Sequence, residues 1–127
     1  METQTTPVYT AVNTEIALQR LNGDEALLAS LTSFFLEDAP PLLEHLHEGL
    51  RTDSLPQVVI SAHSLRGLAS TFEAIPVMQL AAEIESLGRK GDCTRLKELA
   101  GQLDAEFVRL MVALRAINSS PTLHQPK

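Results

Sequence analysis

Apolar residues recur along this chain in steps of three and four, and nowhere in the strict alternation of a half-buried strand. Residues 54–72 carry them at Leu55, Val58, Ala62, Leu65, Ala69 and Phe72. The stretch after Asp92 carries them at Leu96, Leu99, Leu103, Phe107, Leu110, Leu114 and Ile117. A repeat of 3.6 residues places such positions on one side of an α-helix. A third run holds Leu27, Leu28, Leu31, Phe34 and Phe35 and resumes at Leu42, Leu43, Leu46 and Leu50. A fourth holds Val77, Leu80, Ala81, Ile84 and Leu87. Each run has one apolar stripe, and each stripe needs another to cover it. Four amphipathic helices with short connections predict an all-α protein, an antiparallel up-down four-helix bundle.

The punctuation agrees with the periodicity. Asn13 or Thr14 can cap a short additional N-terminal helix ending near Leu21, and Asn22-Gly23 stops it. Asp24 can cap the long run that follows. Pro40-Pro41 inside that run predicts a kink or a brief break, because proline lacks the N–H and clashes with the preceding turn. Thr52-Asp53-Ser54 reads as a connection, and Pro56 suits the first turn of the next helix. That helix is expected to end near residues 72–74, with Pro76 opening its successor. Gly88-Arg89-Lys90-Gly91 reads as a tight turn, Asp92 as the cap of the last helix, and Gly101 as a site of close helix packing. Residues 1–12 form an N-terminal arm in which Val8 and Tyr9 can dock on the bundle. Residues 13–117 form the bundle and residues 118–127 a flexible tail.

Composition narrows the function. With 127 residues the chain is one domain's length and can bury a core. The net charge of −6 argues against nucleic acid as a partner, since phosphate binding needs a basic face. The single Cys93 excludes an internal disulfide. No apolar run approaches the roughly 20 residues of a membrane span. No basic-then-apolar leader opens the chain. A cytoplasmic monomer without membrane contact is the expectation.

His63 sits one residue past Ala62 and is turned about 100° from the middle of its helix's stripe. Its ring therefore lies at the edge of the core face or on the surface. Arg66 and Gly67, at i+3 and i+4, lie beside it. A cation is within reach, and a residue without a side chain leaves the ring accessible. A neutral imidazole is a good nucleophile toward phosphorus, and an ordinary one, with pKa about 6.5, is mostly neutral at pH 7. His45 and His47 point to different sides of their helix and lack an i+4 ligand partner, so no metal site is expected. Val59, Ile60 and Leu68 flank His63 and serve either as an apolar docking patch or as the margin of a wide core stripe. Ser64 and Ser70 are capping or solvent residues, or supports for the docking face and the imidazole.

The string Ala62-His63-Ser64-Leu65-Arg66-Gly67, with Ala69 beyond it, resembles the phosphoacceptor motif of histidine phosphotransfer (HPt) domains, which relay phosphoryl groups in bacterial two-component signalling. The resemblance extends over about residues 13–117. It takes in Arg20-Leu21-Asn22-Gly23-Asp24-Glu25, Phe34-Phe35-Leu36-Glu37-Asp38-Ala39-Pro40 and Gly91-Asp92. Two departures stand out: Arg66 where the family usually has Lys, and Glu73 where it commonly has Gly. The resemblance implies that His63 accepts a phosphoryl group on Nε2 and that Arg66 supports it electrostatically. A polar side chain of the neighbouring helix, Gln79 or Glu85, would hold the other ring nitrogen. The implied partners are response-regulator receiver domains or a hybrid sensor histidine kinase. The receiver would supply the aspartate and Mg²⁺, leaving this chain a phosphocarrier without a kinase domain or cofactor of its own. The rival reading is a receiver-binding adaptor bundle that is never phosphorylated.

Overall fold

The computed structural model describes residues 11–119, with the side chain of Ser119 excepted, as five α-helices with no strand among them. They are α1 (Thr14–Arg20), α2 (Glu25–Arg51), α3 (Leu55–Ser70), α4 (Ile75–Lys90) and α5 (Leu96–Ser119). The expected arm of residues 1–12 falls almost wholly outside the described residues, Val8 and Tyr9 included, as does the tail from residue 120. α5 runs two residues past Ile117, and Asn118 Nδ2 donates to Ser33 Oγ on α2 at 2.9 Å.

Two of the three capping signals act as read, whereas Asp92 does not cap α5: its Oδ1 accepts from Thr94 N and Thr94 Oγ1 in the turn before the helix, which begins at Leu96. Asn13 Oδ1 accepts from Ile16 N at 3.0 Å, and Asp24 Oδ1 from Leu27 N at 2.9 Å. Each satisfies an amide that the first helical turn leaves without a partner. Pro56 and Pro76 lie in the first turns of α3 and α4, where a missing N–H costs nothing. The stops share one geometry. Asn22, Asp53, Glu73 and Gly91 follow α1 to α4 with φ of 57°, 58°, 50° and 76°. In each case the next amide bonds a carbonyl five residues back: Gly23 to Leu18, Ser54 to Gly49, Ala74 to Ala69, and Asp92 to Leu87. That is the Schellman closure.

Glu73 thus takes the left-handed conformation that glycine adopts freely. Arg20 braces the turn, its Nη1 donating to Ser70 O and its Nη2 to Glu73 Oε1, both at 2.6 Å. An exposed pair of this kind contributes at most about 1 kcal/mol. The left-handed residue costs about 1–2 kcal/mol. Glu73→Gly should therefore stay within about 1 kcal/mol of the parent, while Glu73→Val should lose about 1–2 kcal/mol. Urea denaturation of both variants checks the order.

Two expectations about helix continuity need correction. α2 runs unbroken through Pro40 and Pro41. Phe35, Ala39 and Leu46, on both sides of the prolines, are buried along one face, so packing holds the helix through the hydrogen bonds that are lost. Likewise Gly88 is not a turn residue. α4 continues to Lys90, and a Cβ on Gly88 would stand 2.7 Å from Val59 Cγ2 on α3. Close packing falls at Gly88 and at Gly49, where a Cβ would meet Val58 Cγ2 at 2.9 Å. At Gly101 a Cβ would meet nothing within 4 Å.

α2 packs against α3 and α5, and α4 packs against the same two, so the four long helices close a ring. Ser33 meets Asn118 and His47 Nε2 meets Asp104 Oδ1, so moving forward along α2 matches moving back along α5, which makes that pair antiparallel. Phe35 forms the hub of the core, edge-on to Phe72 at 5.6 Å and tilted against Phe107 at 6.1 Å. α1 lies against α2, its entry tied by Asn13 N to Phe72 O. His47 is accounted for by its 2.7 Å link to Asp104 between two helices.

Candidate functional site

α3 is covered on two sides by α2 and α4, and only one narrow stripe of it is exposed: Pro56, Ile60, His63 and Gly67. The steps of four, three and four align them on one face. The His63 side chain is 61% exposed. At Gly67 an added Cβ would meet nothing within 4 Å, so no packing demand explains the glycine. Helix propensity disfavours it by about 0.8–1 kcal/mol relative to Ala. The open space beside the imidazole is what that sacrifice leaves.

Beneath the ring lies a buried carboxylate. Glu85, on α4, is only 6% exposed. Its Oε2 is 3.0 Å from His63 Nδ1. Arg89, one turn further along α4, donates to the same oxygen through Nη2 at 2.8 Å and Nε at 3.2 Å. Arg66 Nη2 donates to Oε1 at 3.0 Å. The Arg89 hydrogen bonds lead in holding the Glu85 carboxyl below the usual carboxylate range. Burial opposes them, while His63 and Arg66 add to them. A carboxyl so depressed stabilises the fold at neutral pH and loses that contribution only on acidification.

The geometry decides the tautomer. An ionised carboxylate only accepts hydrogen bonds, so Nδ1 carries the proton. In the neutral ring the lone pair then sits on Nε2, which has no hydrogen-bond partner among the described residues. Arg66 Nη2 also approaches Nδ1, at 3.3 Å, as a neighbouring cation rather than a donor to a protonated nitrogen. Gln79 is exposed on α4 and does not reach the ring, so of the two candidate supports the structure selects Glu85.

The remaining expected residues separate by packing. Ile60 is 65% exposed. Two open grooves meet at it: one is lined by Glu44, His45, Glu48, Gln57 and Ser61, the other by Leu55, Pro56, Val59, Gly88 and Arg89. Val59 is half-buried against Gly88, and Leu68 is half-buried against the core, so the exposed apolar surface beside His63 is essentially Ile60. Ser64 is half-buried, and Ser70 Oγ donates to Gly67 O at 2.7 Å, which makes Ser70 a helix-end residue and not an imidazole support. Arg89 is the residue that sequence reasoning missed. Reading Gly88 as a turn put it in a solvated loop, whereas one more turn of helix sets it at i+4 from Glu85. Among the described residues no group of three or more His, Cys, Asp or Glu side chains could hold a metal ion, and no helix is long and apolar enough to cross a membrane.

Comparison with known proteins agrees with this architecture. The crystal structure of histidine-containing phosphotransfer protein B (HptB) from Pseudomonas aeruginosa PAO1 superposes with a TM-score of 0.78. The match covers 97% of this chain and 100% of that one at 20% identity. No curated protein sequence matches. The family model for the Hpt domain matches residues 30–116, from the second turn of α2 into the last turn of α5 and across the whole histidine site. With most of its length and its bundle accounted for in this way, the chain belongs to the Hpt domain family.

Proposed function

We propose that His63 accepts a phosphoryl group on Nε2 from the aspartyl phosphate of a receiver domain and passes it to a second receiver in a multistep phosphorelay. The observation that carries this reading is the bond between Nδ1 and Glu85 beneath an exposed ring. It leaves the nucleophilic lone pair on the nitrogen that a partner can reach. Phosphoryl transfer asks mainly for positioning and charge neutralisation. Glu85 positions the ring, Arg66 supplies charge for the phosphoryl oxygens, and Gly67 leaves room for the incoming domain. Ile60 offers the apolar contact, with Val59, Ser64, Leu68 and Ser70 around it. The receiver, in this reading, contributes the aspartate and its Mg²⁺, and this chain works beside it in the cytoplasm as a monomer. An adaptor that only docks receivers needs neither an oriented tautomer nor a cation beside it, and both are present here.

The test is incubation with phosphorylated receiver domains, followed by mapping of acid-labile, base-stable phosphate. Phosphate on His63 is expected, and binding without phosphate would favour the adaptor. Arg66 refines the test. Arg66→Lys should transfer within about tenfold of the parent, because it keeps the charge and loses the planar fork. Arg66→Glu should fall further, by about a hundredfold, since it repels the phosphoryl oxygens and Glu85 alike. Single-turnover rates compare them. Equal rates for Lys and Glu would remove Arg66 from the electrostatics.

A further inference from the structure

Orienting the imidazole needs only a hydrogen-bond acceptor, and an amide oxygen would serve. Glu85 is instead a carboxylate, and a buried charge is costly unless cations and donors hold it. Here two arginines do so. Arg89 places two N–H bonds on Oε2, the same oxygen that faces His63 Nδ1, and Arg66 places one on Oε1. This expenditure on charge calls for a role that charge alone fills.

We propose that Glu85, fixed in place by Arg89, keeps the Nδ1 proton on the phosphorylated ring and so keeps His63 a good leaving group for onward transfer. The inference rests on the phosphoacceptor reading above. In acceptance, the Nε2 lone pair forms the P–N bond. The P–O bond to the donor aspartate breaks, and its electron pair leaves on that carboxylate. No proton moves, so the phosphorylated ring is a cation that retains Nδ1–H. In onward transfer, a carboxylate oxygen of the acceptor forms the new P–O bond and the P–N pair returns to Nε2. With Nδ1 protonated, the departing group is a neutral imidazole. With Nδ1 deprotonated, it would be an imidazolate, far more basic and a much poorer leaving group.

A carboxylate 3.0 Å from Nδ1 opposes loss of that proton. It must also not take the proton itself. Arg89 guards against that, and the depressed Glu85 carboxyl is consistent with it. The charged groups facing the ring are Arg66 on α3 and Glu85 and Arg89 on α4. The α5-side cation Arg95 pairs with Glu83, and on α2 Glu44 and Glu48 line the groove beside Ile60, where Glu48 pairs with Arg51.

Phosphoramidate is a small donor that needs no partner domain, and it can phosphorylate the full chain directly. Nitrogen-15 and phosphorus-31 NMR across pH then read Nδ1 of the phosphorylated ring, and carbon-13 NMR reads the Glu85 carboxyl. In Glu85→Gln the phosphorylated ring should lose its Nδ1 proton at a pH lower by about one unit or more. Dephosphorylation in mildly alkaline buffer should slow about tenfold. In Arg89→Gln the Glu85 carboxyl should titrate at higher pH than in the parent, and Arg89→Lys should restore part of the difference. Arg89 is largely exposed, so its variants keep the fold even if Glu85→Gln loosens it. An unmoved Nδ1 titration in Glu85→Gln, or an unmoved Glu85 titration in Arg89→Gln, would overturn the proposal. Failure of phosphoramidate to modify His63 would overturn it as well. Modified His63 that exchanges with no receiver would instead overturn the relay and leave the proton-holding role standing.

Discussion

His63→Ala is expected to abolish phosphate acceptance while leaving the bundle folded. The His63 side chain is 61% exposed and lies off the buried stripe of Val58, Ala62, Leu65 and Ala69, so its removal opens no cavity. Two small terms oppose each other. Alanine is favoured over histidine in a helix by up to about 0.7 kcal/mol. The bond to Glu85 is lost, at about 0.5–1.5 kcal/mol for a typical hydrogen bond. Glu85 itself stays paired with Arg66 and Arg89, so no buried charge is stranded. Stability should change by less than about 1 kcal/mol. Urea denaturation measures that, and phosphate incorporation from a phosphorylated receiver measures the loss of function. Phosphate remaining on the variant would move the acceptor elsewhere. Unfolding would mean that the histidine is part of the core.

The helices were legible because burial on one side imposes a period on the chain, and that period survives in the apolar residues whatever the partners turn out to be. Their caps were legible because Asn13 and Asp24 each act on an amide three residues away. What escaped depended on contacts distant in sequence. Pro40-Pro41 signals a break locally, yet burial of Phe35, Ala39 and Leu46 against other helices holds α2 together. Gly88 resembles a turn residue until Val59 of α3 is seen against it. The choice between Gln79 and Glu85 required the register of α4 on α3, which no spacing within either helix contains. Arg89 followed from the same register. His63, Arg66 and Gly67, by contrast, share one helix, so the i+3 and i+4 rule brought them together before any tertiary contact was known.

Two glycines give the sharpest separation of access from packing. Gly67→Leu should retain or gain stability and block transfer. Nothing lies within 4 Å of the position a Cβ would occupy, so the side chain meets no steric opposition. The gain in helix propensity is about 0.8 kcal/mol. The added bulk stands one turn from the imidazole, on the stripe that Ile60 and His63 share, where a receiver must bring its aspartate in line with Nε2. A misplacement of about 1 Å can cost a hundredfold in rate, and a leucine displaces a partner by more than that. Gly88→Leu should do the opposite to the fold. Even its Cβ would stand 2.7 Å from Val59 Cγ2, so overpacking should destabilise by about 1–3 kcal/mol or more. Thermal denaturation ranks the two variants, and transfer from a phosphorylated receiver is then measured on Gly67→Leu. A near-parental rate there would refute the access argument, since the stable fold leaves steric exclusion as the only way the substitution can act.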